Sequence, residues 1–238
     1  MLILAFDTTG DRGGAGIFRD AECLASLENE GRSNFSVALF QIVERLLAET
    51  QLNLSDIELF AVANGPGSFT GIRVGVAAAQ GWARAFSRPV CGVSVLAAMT
   101  RQAQPETEWA ASILDARRGE FYLGLFQRVC DPVITAQASY EPQGEGWVLK
   151  PGPLAEMLKP RRLTGAGVTC LVREHEQAAL SLRAILPDSF RWQTVWGLLL
   201  PAIARLALEA HGQGRLQSPA ELDARYIRRS DAELHWRD

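Results

Sequence analysis

Three stretches of this chain hold residue types that could do chemistry. Asp7-Thr8-Thr9-Gly10 sets a carboxylate and two hydroxyls after the apolar run Met1 to Phe6, a grouping able to hold a metal-bound water or a nucleotide phosphate. Asp and Thr are also ordinary turn formers, and taken alone the plain turn is the favoured reading. Gly65-Pro66-Gly67-Ser68-Phe69-Thr70-Gly71 lies between the apolar run Leu59 to Ala63 and a helix-like segment, Ile72 to Phe86. Helix N-terminal amides attract anions, so a phosphate could rest beside Gly67 and Ser68. Pro66, however, has no N–H and no lysine follows the last glycine, so the phosphate-loop pattern is incomplete and a structural turn is favoured. In Asp115-Ala116-Arg117-Arg118-Gly119-Glu120, arginines stand where close approach of a phosphate would need glycines. Those arginines either meet an anion or a partner's carboxylate, or form a solvated hairpin.

Other chemistries lack their residues. His175, His211 and His235 are isolated from one another, whereas zinc hydrolases commonly place two histidines four apart on one helix face. Gly67-Ser68-Phe69 does not complete the Gly-x-Ser-x-Gly elbow of serine nucleophiles. Cys23, Cys91, Cys130 and Cys170 form no Cys-x-x-Cys pair and no secretory leader precedes the first strand, so they read as reduced core cysteines of a cytoplasmic protein. Net charge is −3, which gives no sign of autonomous nucleic-acid binding. The longest apolar stretch, Val195 to Leu208, is broken by Pro201 and Arg205 and reads as a buried helix, not a membrane span.

The elements that must carry these residues follow from periodicity. Met1 to Phe6, Gly14 to Phe18 and Cys23 to Leu27 read as a three-strand meander. Phe35, Ala38, Leu39, Ile42, Val43, Leu46 and Leu47 recur at helical spacing, so an amphipathic helix enters near Ser33. Leu59 to Ala63 is a strand, the segment after the glycines a helix capped by Ser68 or Thr70, Pro89 to Val93 a strand and Val95 to Gln102 a short helix. Gln104 to Glu108 reads as a hinge. Trp109 to Leu114 and Phe121 to Phe126 form a hairpin that echoes the opening strand-Asp-turn-strand, which suggests internal duplication. Further helices are expected at Pro153 to Leu158, Cys170 to Leu182 and Val195 to Ala210, and Arg225 to Arg229 looks extended.

One helix is compositionally odd. Gly71, Gly75, Ala79 and Ala83 recur every fourth residue, although each interior glycine costs a helix about 1 kcal/mol relative to alanine. Something must approach that face closely: either a neighbour within the domain or a helix of another chain, with Arg73, Gln80 and Arg84 at the rim.

Ile3 to Thr9, Gly65 to Gly75, Ala79-Gln80-Gly81, Gly92-Val93-Ser94 and Asp115 to Tyr122 together resemble the bacterial TsaB (YeaZ) family. Tyr226-Ile227-Arg228 is similar to the family's C-terminal Tyr-Leu-Arg element. The resemblance implies a two-lobed, actin-like ATPase (ASKHA) α/β fold, with duplicated lobes of strand meander plus helix. These would span 1–103 and 104–238, with the helix at 195–210 packing back on the first lobe. It also implies a noncatalytic part in making threonylcarbamoyladenosine beside the tRNA anticodon. Partners would be a TsaD-like catalytic subunit and a TsaE-like ATPase, with tRNA met only through the complex, no membrane, and a homodimer through the same helices when the chain is alone. No catalytic residue, metal or cofactor of its own is expected; ATP and a metal would sit on partner subunits.

In agreement, Ser33 to Ala38 holds none of the His-x-x-x-His pair of TsaD-like catalysts. Asn34 stands where many relatives carry a lone His, and Ala224 where they carry Pro. The expected partner-binding residues are Phe35, Leu39, Ile42 and Leu46 of the first helix and Gly71, Ile72, Gly75, Ala79, Trp82 and Ala83 of the second. Asp7, Thr8, Thr9, Gly67 and Ser68 are the candidate nucleotide or phosphate contacts. Two rival readings are a glycoprotease-like hydrolase and an autonomous nucleotide-binding ATPase.

Overall fold

The computed structural model describes residues 1–29, 35–129, 139–158, 167–174, 182–184, 186 and 190–228. Ser33, Asn34, Cys130, His175, His235 and Arg229 lie outside the described residues. The chain forms two compact units, 1–98 with 198–225 and 99–197 with 226–238.

In the first unit, β1 (Leu2–Asp7), β2 (Gly14–Arg19) and β3 (Glu22–Glu28) make an antiparallel meander. On the other side of β1, β4 (Leu59–Gly65) and then β5 (Val90–Ser94) join in parallel, giving the order β3-β2-β1-β4-β5. Leu4 and Phe6 enter a core with Leu39, Ile42 and Leu46 of α1 (Phe35–Thr50) and Ile72, Val76 and Ala79 of α2 (Phe69–Phe86). Ile3 and Ala5, on the opposite pleat, are also fully buried, and α5 (Leu200–Gly212) packs on β1, β4 and β5. A strand covered on both faces has no reason to alternate in polarity, which is why β1 is apolar from Leu2 to Phe6 and β4 from Leu59 to Ala63. Each fully buried Leu, Ile or Phe in this core contributes about 2 kcal/mol through apolar area removed from water.

The second unit repeats the plan. β6 (Trp109–Asp115) and β7 (Phe121–Val129) pair antiparallel, with β8 (Ser139–Pro142) and β9 (Trp147–Leu149) on the far side of β7. β10 (Val168–Arg173) and β11 (Arg191–Val195) follow β6 in parallel, in the order β11-β10-β6-β7-β8. The antiparallel hairpin continued by two parallel strands is thus present twice, and the duplication suggested by the two Asp-ended strands is real at the level of topology. α3 (Val95–Ala103) leads into this unit, and α4 (Pro151–Leu158) buries Leu154, Ala155 and Leu158.

Four expectations change. Cys170 does not open a helix: Val168 to Val172 is buried strand, β-branched at three of its five positions, and 175–181 lie outside the described residues. The helix expected from Val195 starts at Leu200, because Val195 ends β11 and Gly197 turns the chain at φ +68°. Pro201 falls in the first turn of α5, where its missing N–H breaks no helical bond. Gln104 to Glu108, expected as a hinge, lies inside the second unit and is bonded to it. The Tyr140 hydroxyl donates to the carbonyls of Pro105 and Thr107, Arg128 donates to the Glu106 carbonyl at 2.8 Å, and the Thr107 and Thr169 hydroxyls meet at 2.8 Å. Finally, Arg225 to Arg228 forms no strand.

Candidate functional site: the glycine loop and helices α1 and α2

The Asp-Thr-Thr turn and the glycine loop are locked together. Asp7 is buried, and its Oδ1 accepts hydrogen bonds from the Thr9 amide at 2.8 Å and the Thr9 hydroxyl at 2.6 Å. The Thr8 hydroxyl donates to the Gly71 carbonyl at 2.7 Å, and the Ser68 amide donates to the Thr9 carbonyl at 2.6 Å. Ser68 is the N-cap of α2, its hydroxyl accepting from the Gly71 amide at 3.3 Å.

The glycines make this contact possible. A Cβ on Gly71 would lie 1.9 Å from the Thr8 carbonyl oxygen, one on Gly67 2.4 Å from that of Thr9, and one on Gly75 2.6 Å from the Thr8 hydroxyl. Gly65 combines φ +123° with the Arg225 carbonyl 2.6 Å from a would-be Cβ, and precedes a cis Gly65–Pro66 peptide. Asp7, Thr8, Thr9, Gly67 and Ser68 are therefore brought together. The Thr8 and Thr9 hydroxyls and the Ser68 amide, however, are each donated within the pair of turns.

The same geometry corrects the expected partner-binding residues. Leu39, Ile42, Leu46, Gly71, Ile72, Gly75, Ala79 and Ala83 are all buried in the first unit's own core, and Phe35 and Trp82 are half-buried. The small-residue face of α2 is filled from inside the lobe, by Thr8 against Gly71 and by Thr8, Val62 and Phe6 against Gly75. Small residues are required there because α2 lies directly on the β1 turn and β4.

The outward side of the two helices is different. Val37 is 59% exposed, Phe40 49% and Phe69 41%. The Phe40 ring meets Trp82 edge-on at 5.5 Å between centroids, and Trp82 meets the buried Phe6 in the same way at 5.5 Å, so an aromatic chain runs from core to surface. The Arg73 guanidinium lies 3.8 Å above the Phe69 ring. Ala77, Gly81 and Ala85 line the exposed side of α2, and no atom stands within 4 Å of a Cβ placed on Gly81. Sequence reasoning missed this face because the inner stripe, with two glycines, was the stronger signal. The outer stripe has the same four-residue spacing, and Val37 and Phe40 interrupt an otherwise polar side of α1.

In the second unit, the Asp115 carboxylate accepts from the Arg117 amide at 2.7 Å, and Arg117, Arg118 and Gly119 all have left-handed backbones at φ +61°, +56° and +72°. Arg228 braces this turn, donating to the Ala116 carbonyl at 2.9 Å and pairing with Glu120. Neighbouring Tyr122 has its phenol pushed above the ordinary value by burial, an effect that Arg228 opposes. His211 is exposed in the last turn of α5.

Two sheets built on one repeated plan, each opening with an Asp-ended strand and its antiparallel partner, define an α/β protein of two duplicated units. Residues 29–140 match the family model described as TsaD, tRNA N6-adenosine threonylcarbamoyltransferase. The chain is 34% identical over 127 residues to a Bacillus subtilis protein named tRNA threonylcarbamoyladenosine biosynthesis protein TsaB, covering 53% of this chain and 56% of that one. It is 36% identical over 131 residues to the Escherichia coli protein of the same name, covering 54% and 56%. YeaZ from Pseudomonas aeruginosa superposes with a TM-score of 0.73 at 24% identity, covering 95% of this chain and all of that one, a likeness of fold. Over the matched stretch the chain is similar to proteins named TsaB. The matched stretch spans about half the length of these curated relatives, 56% in both.

Proposed function

We propose that this chain is a noncatalytic subunit required for threonylcarbamoyladenosine modification of tRNA, acting in the cytoplasm as scaffold and activator of a TsaD-like catalytic subunit together with a TsaE-like ATPase. The observation that carries the reading is the outward apolar face of α1 and α2, with Val37, Phe40 and Phe69 exposed around Trp82. Exposed aromatics backed by a rigid core are the kind of group that dominates binding energy at protein interfaces. The flat stripe at Ala77, Gly81 and Ala85 lets a partner helix come close, and a specific contact of this type buries about 800 Å² per partner. The same face pairs two copies of the chain when no TsaD-like partner is present. ATP and the metal belong to the partners, and tRNA is met through the assembled complex. The names of the relatives support the pathway, and the interlocked donors around Asp7 fit a chain that does not run the reaction itself.

Reconstitution tests this. TsaD and TsaE from one organism are incubated with tRNA, ATP and threonylcarbamoyl-adenylate as the group donor, with and without this chain, and modified adenosine is counted by mass spectrometry. Modification should require the chain and should fall with Phe40→Asp. Loss of a central aromatic anchor of about 2 kcal/mol corresponds to roughly 30-fold weaker pairing. Full modification without the chain, or unchanged pairing by Phe40→Asp, refutes the reading.

A further inference from the structure

After α5 the first unit ends in a strap without regular secondary structure. Gln217 exchanges backbone hydrogen bonds with Val90 at 2.9 and 3.0 Å, and its side chain accepts from the Gly92 amide at 3.1 Å. Leu222 is buried, its carbonyl accepts from the Gln80 side chain at 2.8 Å, and the Asp223 carbonyl accepts from Asn64 at 3.0 Å. The Arg225 amide closes the strap on the Asn64 carbonyl at 2.7 Å. The strap from Gln217 to Arg225 is thus held at both ends and in the middle, with Ala224 inside it.

Between the strap and the C-terminal end of α2 runs a groove of about 530 Å³. Ala83, Pro89, Leu216 and Pro219 give it apolar walls, while Arg84 and Arg88 supply cations. Arg84 is exposed, and among the described residues no carboxylate lies within ion-pair distance of either arginine. Arg88 donates to the Ser55 carbonyl at 3.2 Å, while its Nε is buried without a hydrogen-bond partner. Glu221, beside the strap turn, accepts from the Ser218 amide at 2.8 Å and from its hydroxyl, and that bonding lowers its pKa. In a chain of net charge −3, two guanidiniums without counter-ions at one groove are a local reversal of sign.

We propose that this groove docks an acidic segment of a partner protein. An Asp or Glu side chain reaches the two guanidiniums, whose forked donors suit a carboxylate, and an apolar neighbour in the segment lies against Leu216 and Pro219. The two cations outweigh the partial negative charge at the end of α2, of about half a unit. The Val90–Gln217 bridge already covers the edge of β5, so the segment is held through its side chains and not as an added strand. Among the described residues no aromatic lines the groove for base stacking, and the walls are apolar, which favours a peptide over an RNA backbone.

The test is a random heptapeptide display selection on the full immobilised chain and on Arg84→Ala/Arg88→Ala, followed by fluorescence anisotropy with the enriched peptides and with a labelled uridine heptamer. Among the described residues the Arg84 side chain has no hydrogen-bond or ion-pair partner, so Arg84→Ala alone provides a variant whose fold is not in question. Enriched peptides should carry Asp or Glu beside a Leu, Ile, Val or Phe. Their affinity should fall about tenfold with Arg84→Ala, further with the double variant, and again when the acid is replaced by its amide. The proposal is overturned if no peptide is enriched, if the enriched peptides lack acids or bind the double variant equally, or if the uridine heptamer displaces them. The selection is repeated on Phe40→Asp, in which pairing through α1 and α2 is broken, so failure of the groove and failure of that pairing are told apart.

Discussion

Three glycines on one helix should respond to the same substitution in opposite directions. Gly71→Ala places a methyl group 1.9 Å from a backbone carbonyl oxygen, that of Thr8, which cannot swing aside as a side chain could. Either α2 or the Thr8 turn must shift, and the Thr8 hydroxyl bond to the Gly71 carbonyl at 2.7 Å is lost or stretched. Overpacking of this kind costs about 1–3 kcal/mol and the buried hydrogen bond about 1 kcal/mol more, against a gain of roughly 1 kcal/mol from replacing glycine in a helix. A net loss of about 2 kcal/mol follows. Gly75→Ala meets the Thr8 hydroxyl at 2.6 Å and a Val62 methyl at 3.1 Å, both side-chain atoms with some freedom, so about 1 kcal/mol is expected after the helix gain. Gly75→Leu would exceed both, so it is a folding variant and not a probe of the partner surface. Gly81→Ala touches nothing within 4 Å and should stabilise by about 0.5–1 kcal/mol. Urea unfolding followed by far-ultraviolet circular dichroism ranks the three. A neutral Gly71→Ala beside a stabilising Gly81→Ala would mean that the inner face of α2 is not packed against the Thr8 turn.

Burial raises the thiols of Cys91 to about 11 and Cys170 to about 12 from an ordinary 9.0. Because the folded values are the higher ones, the associated stability is complete below pH 9 and is lost as pH rises from 9 towards 11–12, which equilibrium unfolding across that range will show. Alkylation at pH 8 should accordingly modify the exposed Cys23 first and reach Cys91 and Cys170 only on unfolding. Arg228→Ala removes the brace on the Asp115 hairpin, where Arg228 and Glu120 are each less than a third exposed. Exchange of the Ala116 and Glu120 amides, which close that turn, should quicken by about fivefold to tenfold, equivalent to about 1 kcal/mol, with little change elsewhere.

Periodicity made most of the first unit legible. The meander, α1, β4, α2, β5 and α3 all follow from spacings of two or of three and four, and Ser68 was visible as a cap because it precedes the helical run. The second unit was harder to read. Val168 to Val172 is a short apolar run, and such a run has no period by which strand can be told from buried helix; its neighbours β6 and β11 decide the matter. The start of α5 was misplaced for a related reason, since Val195 is buried by its place in β11 and not by helical spacing.

The order of residues alone determined which helix had to lie close against something, because glycines at positions 71 and 75 are unfavourable in a helix unless bulk is forbidden there. It could not say what the close neighbour was. A four-residue stripe is the same whether it faces a strand or a stranger, and α2 carries two such stripes, Gly71-Gly75-Ala79-Ala83 and Ala77-Gly81-Ala85. Only the folded lobe assigned them, by laying Thr8, Val62 and Phe6 against the first and leaving the second in solvent. The groove of Arg84 and Arg88 was equally out of reach of sequence, since its two walls are more than a hundred residues apart along the chain and meet only because Gln217 bonds to Val90. Local chemistry follows from neighbours in the chain, and surfaces follow from neighbours in space.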